Sequence, residues 1–135
     1  MVCDVSFGKC EALRELTLVK KSMGHPNNYL TGIMSSITSE HIQRITMGFV
    51  EQISDSDLRK VIKYKAWEKF DEAVARLAER ALNNGRRLEF ELHVCGNPTA
   101  QLFDQVFPRF AENGCLGVVR TSFIWKGPIL SILFV

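Results

Sequence analysis

An apolar pattern that returns at a fixed distance restricts a chain to architectures in which similar units stack, and this chain carries one. Leu13, Leu16 and Leu18 stand at L-x-x-L-x-L spacing, and Ile42, Ile45 and Met47 repeat that spacing 29 residues later. A unit of this size holds one strand and one helix or turn, and it buries its apolar face only against a neighbour. Two looser matches follow. Leu88 and Phe90 take the second and third positions of a unit whose first position is Gly85, and Leu116, Val119 and Thr121 fill another. Stacked units present an extended surface, so the pattern speaks for recognition and not for chemistry.

The distance of 29 residues lies at the long end of the leucine-rich-repeat range. The Asn or Cys that usually follows three residues after the third apolar position is replaced by Lys21 and Val50. An ordinary α/β domain is therefore the competing fold. At 135 residues, with 46% apolar and 24% charged residues, the chain has the composition of one packed domain. Seventeen Lys and Arg stand against fifteen Asp and Glu. That balance gives no clustered basic face of the kind phosphate backbones or anionic membranes require, so neither nucleic acid nor membrane is expected as a partner. The first ten residues carry no basic flank and apolar h-region, which points to an intracellular protein of cytoplasm or nucleus with reduced thiols. Cys3, Cys10, Cys95 and Cys115 form no C-x-x-C pair and are read as free.

Along the chain, Val2, Val5 and Phe7 begin a first apolar stretch, and residues 13–19 form a second strand. Gly24-His25-Pro26-Asn27-Asn28 breaks the pattern. Leu30, Ile33, Met34 and Ile37 recur on one helical face, and residues 42–50 return to alternation. Ser54-Asp55-Ser56-Asp57 supplies N-cap side chains for a short helix. Trp67, Phe70, Val74, Leu77 and Ala81 then make the strongest helical stripe, which Asn83-Asn84-Gly85 ends. Leu88, Phe90, Leu92 and Val94 alternate with Glu89, Glu91 and His93, a strand with one wet face. Thr99 can cap the next helix, which Pro108 should kink or end near Phe107. Asn113-Gly114 precedes a last strand over 116–124. The order argues for an α/β layer with several parallel strands. Residues 128–135 are apolar except for Ser131, and period-two alternation hides at most half of 129–135 on one face, so self-association through this tail is expected.

The run Ser35-Ser36-Ile37-Thr38-Ser39-Glu40-His41-Ile42-Gln43-Arg44-Ile45-Thr46, then Trp67-Glu68-Lys69-Phe70-Asp71-Glu72-Ala73, and Phe107-Pro108-Arg109-Phe110 with Gly114, resembles the C-terminal leucine-rich-repeat-like region of fungal F-box-type proteins. The resemblance spans about residues 30–120. It implies a tail that presents substrates to a ubiquitin ligase while a separate helical F-box docks on a Skp-type adaptor. An F-box usually opens on Leu-Pro, and the chain contains no Leu-Pro. The expectation is a single leucine-rich-repeat-like domain over 1–135, or a fragment of a longer protein, without its ligase-side connection.

Reaction chemistry finds little footing. His93 and Cys95 share a strand face, but zinc needs two more ligands and no spacing supplies them. The hydrolase elbow G-x-S-x-G and the phosphate cradles G-x-x-x-x-G-K-[ST] and G-x-G-x-x-G are absent from the sequence. No catalytic residue, metal or cofactor is assigned. The reading is an α/β fold, a short leucine-rich-repeat-like arc of partly parallel strands with helices on one side, acting on a protein partner of unknown identity. Its wet strand face is expected to carry Arg14, Glu15, Thr17, Gln43, Thr46, Glu89, Glu91 and His93. The alternative is a small α/β enzyme or ligand-binding domain with a pocket at the strand ends.

Overall fold

The computed structural model describes residues 13–24, 28–37, 41–120 and 132–134, with 28, 29 and 132–134 in backbone only. The elements run β1 (Glu15–Lys20), α1 (Asn28–Ser36), β2 (Arg44–Gln52), α2 (Asp55–Lys63), α3 (Glu68–Asn83), β3 (Glu89–Cys95), α4 (Gln101–Val106), α5 (Pro108–Asn113), β4 (Cys115–Arg120) and β5 (Ile132–Phe134). The strands form one sheet in the order β4-β3-β2-β1-β5, and each pairing is parallel. Parallel neighbours need a crossover, and helices supply those that follow β1, β2 and β3. The expected stretch through Val2, Val5 and Phe7 lies outside the described residues.

Register places Leu16, Ile45, Phe90 and Leu116 in one row across β1 to β4, and Leu18, Met47, Leu92 and Val118 in another. The two strict matches, at Leu16/Leu18 and Ile45/Met47, are thus true equivalents. The two looser ones are misaligned: the paired strands have Phe90/Leu92 and Leu116/Val118 in line with those residues, not Leu88/Phe90 and Val119/Thr121. Glu89 and Cys115 start their strands in line with Arg44, and this alignment decides the register.

Helices cover one face of the sheet. Their buried residues Leu30, Ile33, Met34, Leu58, Phe70, Val74, Leu77, Phe103 and Phe110 join the two strand rows in a single core. α3 has the broadest buried stripe, because Ala73 and Ala78 flank Phe70, Val74, Leu77 and Ala81. Trp67, expected inside this helix, stands at its N-cap and is nonetheless 1% exposed. Gly85, at a φ of 72°, takes the left-handed turn after α3.

α2 begins with a capping box, in which the Ser54 hydroxyl accepts from the Asp57 amide at 3.2 Å and the Asp57 carboxylate accepts from the Ser54 amide at 3.0 Å. Thr99 does not cap α4. Its amide and hydroxyl donate instead to Asp55 at 2.6 and 2.8 Å, which holds that carboxyl below its usual range and ties the loop after β3 to the start of α2. Ala100 fills the α4 cap position without a side-chain bond. Pro108 acts as expected, ending one helix at Val106 and opening the next at its own position.

Gly96 turns the chain out of β3 with a φ of 94°, and a Cβ there would meet the Ile53 carbonyl at 2.9 Å. Gly96→Ala is expected to cost about 1–2 kcal/mol from the left-handed backbone alone. The contact with Ile53 adds to that cost. Urea unfolding checks it, and an unchanged midpoint would mean that the turn relaxes freely.

The backbone of Ile132–Phe134 pairs with Thr17 to Val19 as the strand beyond β1. The last strand expected over 116–124 starts one residue earlier and is described as far as Arg120.

Candidate functional site

Period two sends Glu15, Arg44, Glu89 and Cys115 to the sheet face away from the helices, followed by the row Thr17, Thr46, Glu91 and Gly117, and then Val19, Gly48, His93 and Val119. The first row and its neighbours concentrate charge. Arg44 reaches Glu89 Oε2 from Nη2 at 3.0 Å and from Nε at 3.1 Å, Glu15 Oε1 from Nη1 at 3.7 Å, and Glu91 Oε2 from Nε at 3.9 Å. Glu91 Oε1 and His93 Nε2 share a hydrogen bond of 2.7 Å. One guanidinium thus bridges three strands. Its bond to Glu89, with that carboxylate's field and those of Glu91 and Glu15, raises the Arg44 pKa beyond its already high value. Each such exposed pair adds at most about 1 kcal/mol to stability, so the cluster shapes the surface more than it holds the fold.

The expected surface residues divide into three groups. Glu15, Glu89, Glu91 and His93 stand together in the cluster. Arg14 and Gln43 are exposed, but they precede the strands at the rim, where the Arg14 carbonyl accepts from the Gln43 amide at 2.6 Å. Thr17 and Thr46 are 8% and 7% exposed, and Val19 beside them is 3% exposed. Their expected place on a wet face is therefore corrected. Central parallel strands are normally covered on both faces, and the sheet is wet chiefly along its N-terminal row and toward β4.

Arg44, the hub of the cluster, is absent from the expected set, which held Gln43 in its place. The signal was in the sequence: Thr46 and Arg44 share parity, whereas Gln43 has the parity of the buried Ile45. Arg14 carries the same one-residue slip against Glu15.

Cys95 is buried, with its Sγ 3.9 Å from the Phe49 carbonyl, and β2 changes register against β3 between Gly48 and Gln52. Cys95 packs as a small hydrophobe, and no group of three or more metal-ligating side chains gathers among the described residues. Cys115 is an exposed free thiol. Cys3 and Cys10 lie outside the described residues.

Two of the clefts formed by the described residues lie in the helix layer. One of about 350 Å³ is lined by Val61, Lys65, Trp67, Asp71, Gln105 and Pro108. The other, about 600 Å³, runs between α3 and α5 past Glu72, Arg76, Glu79 and Arg109. In the first, the Asp71 carboxylate is occupied by the amides of Arg109 and Phe110, each at 3.0 Å. In the second, Arg109 is held by Glu72 at 3.0 Å. No helix among the described residues is long and apolar enough to cross a membrane. Comparison with protein-family models, with curated proteins and with solved structures finds no match.

Proposed function

We propose that the chain is a protein-binding module that meets its partner on the strand face opposite the helices, in the role of a substrate-recognition tail of an F-box-type ubiquitin-ligase receptor. The observation that carries the reading is the continuous polar row Glu15, Arg44, Glu89 on three successive parallel strands, with the helices all packed behind them. Rigid strands hold these side chains in a fixed array, which is what a recognition surface needs. Three carboxylates surround one guanidinium, so the array favours a partner segment that brings Lys or Arg. Arg14 and Gln43 extend the surface at its rim.

Affinity capture with the tagged full chain, followed by titration of the captured protein, tests this reading. Glu89→Lys places a cation beside Arg44 and is expected to weaken binding about tenfold or more, equal to about 1.4 kcal/mol. Glu79→Lys, on the exposed side of α3, should bind as the wild type does. Equal affinity of all three chains for the captured protein would remove the strand face from the proposal.

A further inference from the structure

We infer that the C-terminal end of α2 and the turn behind it form a contact for single-stranded nucleic acid, in which Tyr64 stacks on a base and Lys60, Lys63 and Lys65 take the phosphates around it. The near-neutral total charge conceals a local excess. Residues 59–65 read Arg-Lys-Val-Ile-Lys-Tyr-Lys, four cations without an acid, so the rest of a chain of net charge +2 sums to −2. Arg59, Lys60, Lys63, Tyr64 and Lys65 are all exposed. Arg59 stands in the field of Asp55, whereas no carboxylate among the described residues lies within ion-pair distance of the three lysines. Tyr64 is 70% exposed, and the Lys63 ammonium lies 5.4 Å from its ring centroid. A cation and a flat ring thus stand together, as a phosphate and a base do in a nucleotide.

The helix dipole favours cations in a last turn, which accounts for Lys60 and Lys63. It accounts neither for the exposed ring nor for Lys65. The Lys65 amide donates to the Ile62 carbonyl at 3.2 Å and the Ala66 amide to the Val61 carbonyl at 3.0 Å, the paired bonds of a Schellman ending, with Lys65 at a φ of 51° in the left-handed place that glycine fits best. The fold therefore holds a lysine where its own geometry asks for glycine, directly after Tyr64. Backbone strain of this kind gathers at binding sites. Ammonium groups meet phosphate as point charges, whereas planar carboxylates are matched best by a forked guanidinium, so the three lysines suit a phosphate backbone better than an acidic peptide. A lipid surface needs an apolar helix face, and α2 has already spent its own: Leu58 and Val61 are buried in the core, and Ile62 packs against it. A duplex keeps its bases stacked on one another. A single strand leaves them free for the ring, and stacking of this kind tolerates any sequence.

Fluorescence anisotropy of a labelled oligothymidylate of about 12 nucleotides, titrated with the full chain over a range of salt, tests this. Binding is expected with a slope of log K on log salt of about −2, at about −0.7 for each of three phosphates neutralised. Lys60→Gln and Lys63→Gln should each make the slope shallower by about 0.7. Tyr64→Ala should weaken binding about tenfold and leave the slope as it is. Lys65→Gly should weaken binding while raising the urea midpoint, two opposite effects that a residue serving the fold alone does not give. Glu89→Lys, on the sheet face away from the helices, should bind the oligonucleotide as the wild type does. No binding at low salt overturns the inference, as does binding that Tyr64→Ala leaves unchanged. Polyglutamate or phosphatidylserine vesicles that displace the oligonucleotide at equal charge would show a surface for an acidic protein or a membrane, and would overturn it equally.

Discussion

Trp67→Ala is expected to lower the unfolding free energy by about 3–5 kcal/mol, a large part of the 5–15 kcal/mol that holds a typical domain. The side chain is 1% exposed, and its ring meets Phe49, Phe70 and Phe107 edge-on at centroid distances of 6.4, 5.2 and 5.7 Å. Its Nε1 donates to the Met23 carbonyl at 3.1 Å, which joins the segment after β1 to the start of α3. Removing the indole therefore empties a large volume and orphans a buried carbonyl. Lys20 also lies 5.9 Å from the ring centroid, in a setting where partial burial already lowers its pKa. Urea unfolding of the full chain checks the cost. A midpoint equal to that of the wild type would show that the aromatic cluster collapses into the gap, and would remove Trp67 from the centre of the core.

The layer architecture was legible because periodicity is a local property. Trp67, Phe70, Val74 and Leu77 repeat at helical steps, and Leu88 to Val94 alternate, so burial alone dictates both elements. The strict repeat at Leu13 and Ile42 also predicted which residues would stand in register. Its extension failed because β3 and β4 carry no L-x-x-L anchor: Arg87 and Asn113 occupy their first positions, and the spacing was anchored on Gly85 and Leu116 instead. A side chain at those sites cannot show register when pairing across four strands fixes it.

The candidate site was readable in part for a related reason. Glu89, Glu91 and His93 lie on a strand whose opposite face is plainly apolar, so parity placed them outward. On β2 the parity of Thr46 selects Arg44 over Gln43, and on β1, where both Arg14 and Glu15 were expected on the wet face, the parity of Leu16 keeps only Glu15 there. The burial of Thr17 and Thr46 had no such local sign. Polar residues in a central parallel strand look like a wet face until the cover of the second side is known. Capping followed the same division: Ser54 and Asp57 close a box within four residues, whereas the Asp55 to Thr99 bonds join residues far apart in sequence.

The second large effect is expected at Asp71, whose contribution comes from two such distant bonds. Its carboxylate, on α3 and 2% exposed, accepts from the amides of Arg109 and Phe110 and so closes the first turn of α5, where Phe107 offers no side-chain cap. Asp71→Ala leaves the buried Phe110 N–H without an acceptor, at about 1–3 kcal/mol, and the part-buried Arg109 N–H at a smaller cost, and should detach α5 from α3. Asp71→Asn keeps one carbonyl oxygen and is expected to cost less. Burial pushes the Asp71 carboxyl above its ordinary value, and the two amide bonds only partly offset that push. A carboxyl whose folded pKa is raised contributes stability that is fully present below the unfolded value of about 3.9 and is lost as pH rises through the folded pKa. The wild type should therefore gain on Asp71→Asn as the pH is lowered from neutrality toward that value, because asparagine has no proton to take up. Thermal unfolding of both chains across this range measures the gain. A wild-type advantage that shrinks on acidification would mean that the amide bonds to the ionised carboxylate outweigh its burial, and that Asp71 holds α5 as a charged cap.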